Sequence, residues 1–69
     1  MKKYGVWLDF PDSKPEDGEK VIVRRKGYGL NWDVAVYNEY HECWDDCDGD
    51  DYWCELDEVD KIMFIAPIE

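Results

Sequence analysis

The chain has 69 residues, with 8 Lys and Arg against 18 Asp and Glu, a net charge of −10. It has room for one small domain, which removes only about 60% of its surface from water on folding. That field repels phosphates and argues against direct nucleic-acid binding, and no apolar run approaches the roughly 18 residues of a membrane span. Apolar residues make up 45% of the chain and aromatics 16%, too much for an acidic disordered tail, so one folded domain over 1–69 is expected.

Val6-Trp7-Leu8-Asp9-Phe10 reads as a short aromatic and β-branched strand, stopped at Pro11, which lacks a ladder donor. From Pro11 to Glu19 the punctuation by Pro11, Pro15 and Asp17-Gly18 predicts a loop. Lys20-Val21-Ile22-Val23-Arg24 has the strongest strand signal, a β-branched centre between charged ends. Gly27 and Gly29 then suit a hairpin turn. In the next strand, Trp32-Asp33-Val34-Ala35-Val36-Tyr37, Trp32, Val34 and Val36 share one face, with Ala35 and Tyr37 on the other. After a turn at Asn38-Glu39-Tyr40, strands are expected at His41 to Trp44 and at Tyr52 to Leu56, on either side of an acidic loop. One helical turn is expected around Leu56 to Asp60. Lys61 to Ala66 is an apolar run that suits a strand buried between neighbours, ended by Pro67. No segment holds three turns of helical periodicity. The fold class expected is mainly β, an antiparallel sheet of four to six short strands with at most one short helix.

Three cysteines, Cys43, Cys47 and Cys54, form an odd set, so reduced thiols in a cytoplasmic setting are expected. The opening Met1-Lys2-Lys3 leads quickly to Asp9, unlike the apolar core of a secretion signal. Charge is uneven. Residues 1–26 carry +2 and residues 27–69 carry −12, with ten carboxylates and no Lys or Arg between Glu42 and Asp60. The densest part is Asp45-Asp46-Cys47-Asp48-Gly49-Asp50-Asp51, where self-repulsion must cost stability.

Trp7, then Lys14-Pro15-Glu16-Asp17-Gly18-Glu19-Lys20-Val21-Ile22-Val23, then Val34-Ala35-Val36-Tyr37, then Trp44, and finally Val59 to Pro67 stand in an order that resembles a bacterial and phage family, the domain of unknown function five-five-one. Lys14 stands where that family has Leu, and Lys61-Ile62 where it often has His-Trp. The resemblance implies the order of the strands and a phage or mobile-element origin; it brings no reaction and no catalytic residue.

Two metal constellations deserve weighing. Asp46, Asp48 and Asp50 alternate, and Asp57 falls at the twelfth place of a calcium loop. The glycine such a loop needs at its sixth place is Asp51, and the flanks read as strands. His41, Cys43, Cys47 and Cys54 are a nominal zinc set without the close Cys-x-x-Cys pairs that mark zinc sites. No cofactor or metal is therefore assigned. Catalysis is not expected either: His41 lies two residues from Cys43, yet so short a chain rarely builds a water-excluding cleft with an oxyanion site, and no phosphate loop or nucleophile elbow is present.

Binding is the remaining class. The expected role is a protein-interaction module, monomer or weak homodimer, whose acidic and aromatic surface docks on a basic protein partner. Asp45, Asp46, Asp48, Asp50 and Asp51 would steer the encounter, helped by Glu55, Asp57 and Glu58; Trp44, Tyr52 and Trp53, with Tyr40, would anchor it. A sharper version is nucleic-acid mimicry, carboxylates standing where a nucleic-acid-binding protein expects phosphates. The alternative is a metal-stabilised structural domain, with a divalent ion at the acidic loop or zinc at the His/Cys set.

Overall fold

Strict alternation of side chains in two neighbouring strands sets the inside and the outside of this molecule. The structure, a computed structural model, describes residues 3–27, 29 and 31–66. Its strands are β1 (Leu8–Asp9), β2 (Lys20–Arg25), β3 (Asp33–Asn38), β4 (Cys43–Asp45), β5 (Tyr52–Glu55) and β6 (Val59–Met63), with a 3-10 turn at Leu56–Glu58 between the last two. All six form one antiparallel sheet in the order β1-β6-β2-β3-β4-β5, within the range of the mainly β expectation. The last strand lies inside the sheet, between β1 and β2, as its apolar run suggests.

The β2–β3 hairpin pairs Val21 with Ala35 and Ile22 with Val34. Successive residues point to opposite faces, so Val21, Val23, Ala35 and Tyr37 are buried on an inner face while Ile22, Val34 and Val36 are half-buried on an outer one. Register carries the pattern across the sheet. Val23 pairs with Ile62, Tyr37 with Trp44, and Trp44 with Cys54, which places all of these on the inner face.

A single sheet needs a second layer to cover that face, and the segment after β1 provides it. Phe10 is buried against Tyr37 and Trp44, with ring centroids 6.1 and 5.2 Å away, and Tyr37 and Trp44 are 5.3 Å apart. Tilted and edge-on rings at these separations add to the area that they bury. Backbone bonds fix the covering segment: Phe10 N–H donates to the Asp60 carbonyl at 3.0 Å, Gly18 N–H to that of Tyr37 at 2.7 Å, and Tyr37 N–H to that of Glu19 at 3.0 Å. Pro15 is buried within it.

Several boundaries differ from the sequence reading. The first strand keeps only Leu8 and Asp9, paired with Ile62 and Lys61, and Lys61 Nζ forms an ion pair with the Asp9 carboxylate. The fourth begins at Cys43, because residues 39–42 form a turn in which Glu42 has φ of 54°. The sixth begins at Val59, directly after the 3-10 turn. That turn is held by Glu58, whose carboxylate accepts the Glu55 N–H at 2.9 Å and Arg25 Nη2 at 2.7 Å. The Arg25 guanidinium in turn lies over the Trp53 ring, 5.0 Å from its centroid.

Trp44→Ala should therefore cost about 3–5 kcal/mol, a large share of the roughly 5–15 kcal/mol that stabilises a typical domain. Urea denaturation followed by circular dichroism should show the cooperative transition weakened or lost, while Tyr40→Ala, at a side chain 85% exposed, should leave the midpoint nearly unchanged. The two bonds to Glu58, the backbone one first, hold its pKa below the ordinary value of 4.5. A depressed carboxylate pKa adds stability above the unfolded value that is lost as the pH falls through the folded one. Glu58→Gln should accordingly lower the denaturation midpoint at neutral pH, and the gap from the wild type should close on acidification below about 4.5.

Candidate protein-binding site

The acidic loop does not stand away from the sheet; it folds back over the outer face. Gly49, at φ of 77°, packs over β3: a Cβ there would lie 3.6 Å from Val36 Cγ2, and Val36 is an outer-face residue of β3. The positive φ favours glycine, while a side chain at this distance would meet Val36 in ordinary contact. Asp46 builds the turn: its Oδ1 accepts the N–H of Asp48 and of Asp50 at 3.2 Å each, an Asx pattern. Its own N–H donates to the Asp51 carbonyl at 2.8 Å, and Gly49 N–H donates to the Asp46 carbonyl at 2.9 Å. The loop is a tied turn rather than a loose acidic tail.

Between this loop and the β3–β4 turn lies a groove of about 550 Å³. Asn38, Cys43 and Asp45 line it from β3 and β4; His41, Asp50, Tyr52 and Glu55 line it from the turn, the loop and β5. Asn38 organises one end. Its Oδ1 accepts the His41 N–H at 2.9 Å, and its Nδ2 donates to Asp45 Oδ2 at 3.0 Å and to His41 Nδ1 at 3.2 Å. Asp45 also accepts the Cys43 thiol at 3.6 Å. At the other end Tyr52 donates its hydroxyl to Glu55 Oε2 at 2.9 Å, and this bond holds the phenol up at about 12.

Cys43 is buried, and burial followed by the Asp45 charge raises its pKa. A thiol so placed stays protonated, unlike an activated nucleophile. Cys54 is pushed up to about 12, by burial first and the Glu58 charge second. The nominal zinc set is divided by the sheet: Cys43 pairs with Glu55 while Trp44 pairs with Cys54, so the two buried thiols belong to opposite faces. Cys47 is exposed. Among the described residues no group of three or more His, Cys, Asp or Glu side chains is arranged to hold a metal ion.

The structure places the sequence-derived surface residues unequally. Asp45, Asp50 and Tyr52 line the groove, with Tyr52 60% exposed; Asp48 and Asp51 are exposed on the loop, and Asp46 is its half-buried pivot. Trp53 is half-buried beneath Arg25. The expectation for Trp44 is corrected: with 0% exposure it is a core residue, because register with Tyr37 and Cys54 turns it inward. Asn38 belongs to the expected turn, but the sequence does not show that its side chain, three residues before His41 and seven before Asp45, holds the groove together. An Asn ahead of a turn was the available signal. No family model, curated protein or solved structure matches this chain.

Thiol titration with a disulfide reagent checks the geometry. One thiol per chain, Cys47, should react promptly in the native protein at neutral pH, and all three should react in denaturant. Native reactivity of Cys43 matching that of Cys47 would mean that the base of the groove is open.

Proposed function

We propose that this domain is a protein-binding module without catalysis, which presents the acidic groove and the adjoining loop to a basic protein partner. The observation that carries this reading is the convergence of Asp45, Asp50 and Glu55 with Tyr52 around one concavity whose lining contains no Lys or Arg. A partner Arg or Lys entering there meets carboxylates that accept charge-assisted hydrogen bonds and, at Tyr52, an aromatic face suited to cations. The exposed carboxylates of Asp48 and Asp51 add long-range attraction, which speeds encounter more than it tightens the final complex. Cys43, held as a thiol and bonded to Asp45, supports binding over nucleophilic chemistry. A nucleic-acid-binding protein is the partner class that best fits a row of carboxylates on a loop. The phage or mobile-element origin implied by the family resemblance accords with such mimicry.

Asp48→Asn, Asp50→Asn and Asp51→Asn combined provide the test, since Asp45 and Asp46, which hold the groove and the turn, stay intact. A basic protein captured from host lysate at low salt should be released at high salt, and its affinity for the triple variant should fall at least tenfold. A partner held equally by both proteins at both salt concentrations would overturn the reading.

A further inference from the structure

We propose that a second concavity, at the opposite end of the outer face, binds a small planar aromatic carboxylate. This pocket has a volume of about 420 Å³ and is lined by Trp7, Ile22, Arg24, Trp32 and Met63. Ile22 and Met63 are cross-strand partners on β2 and β6 and form an apolar floor. Trp32 stands 58% exposed at its rim, and Trp7 carries the Arg24 guanidinium 5.5 Å from its ring centroid.

Apart from its contact with Trp7, the Arg24 guanidinium is weakly engaged by the fold. In a chain of net charge −10, its guanidinium has no carboxylate partner among the described residues. Its Nη2 donates only to the Gly29 carbonyl, at a long 3.3 Å, and its Nε is buried with no hydrogen-bond partner. Directly across the β2–β6 ladder stands Lys61, a like charge that disfavours the pair and whose ammonium is already engaged by Asp9. An incoming carboxylate would supply the counter-charge that the guanidinium lacks and accept from its Nη groups, whose planar arrangement matches carboxylate geometry.

The apolar floor and the two indoles ask for a flat apolar body attached to that carboxylate. The volume holds one small ring system, and a polyanionic strand is opposed by the net charge of the chain. A single carboxylate is less affected. Among the described residues, the lining of the pocket contributes no carboxylate of its own to oppose it.

The test is an amide-resolved NMR titration with 2-naphthoate and with the uncharged 2-naphthalenemethanol. Naphthoate should saturate, move the signals of Ile22, Arg24 and Met63 and bind at least fivefold more tightly than the alcohol. Trp32→Ala, at an exposed position, should weaken it at least fivefold, and Arg24→Gln should abolish the preference over the alcohol. Equal affinity for the two probes, shifts scattered elsewhere, or indifference to Trp32→Ala would overturn the proposal.

Discussion

Everything in this molecule depends on Phe10 lying across Tyr37 and Trp44. The sheet is one layer thick, and its inner face carries most of the fully buried side chains, among them Val21, Val23, Ala35, Trp44, Cys54 and Ile62. Without a cover that face would be open to water, and among the described residues no long helix supplies one. The segment between β1 and β2 acts instead, anchored through backbone bonds to β3 and β6. Trp44, at the centre of the aromatic contact, places its indole Nε1 where it meets no acceptor. Its value there lies in ring area and shape, not in hydrogen bonding.

Covering one face leaves the other open in part to solvent. So few residues form a single core, and the outer face is covered only in part, by the acidic loop over Val36 and by the Arg24–Trp7 contact. The strand order separates these two features. β1, β6 and β2 bring together Arg24, Arg25 and Lys61, whereas β4 and β5, with the loop between them, gather the carboxylates. The charge imbalance of the sequence thus becomes uneven across the sheet: the densest carboxylates gather at β4, β5 and their loop, while Arg25 and Lys61 are paired with Glu58 and Asp9 and Arg24 lies against Trp7.

The sequence made the β2–β3 hairpin legible because β-branched alternation and glycine turns are local signals, and Val21 to Val23 and Asp33 to Tyr37 fall where they predict. The short strands were less legible. Cys43 to Asp45 has three residues, too few for a period to show, so nothing local told which way Trp44 would turn; only pairing with Tyr37 and Cys54 decides it. A register shift beside Asp45 makes the case harder still, since the parity of Tyr52 and Trp53 cannot be counted through an irregularity. Composition marks the stretch from Asp45 to Asp51 as an acidic loop. Its return over Val36 follows from Gly49 and from the use of Asp46 as an acceptor, which composition does not reveal.

The clustered carboxylates carry their own argument for a partner. Asp45, Asp46, Asp48, Asp50 and Asp51 lie within seven residues of chain, and the turn brings them together on one loop. Two of the five are structural: Asp45 accepts from Asn38 and Cys43, and Asp46 accepts two backbone N–H groups. Asp48 and Asp51 hold no part of the turn through their side chains among the described contacts, so a fold needing only the turn could have Asn or Ser in their place at a lower cost in repulsion. A cationic partner would relieve that repulsion on binding, and the free energy released would favour the complex and, through mass action, the folded domain itself. The loop charge that weakens the isolated chain would thereby become a source of affinity for the basic partner proposed above.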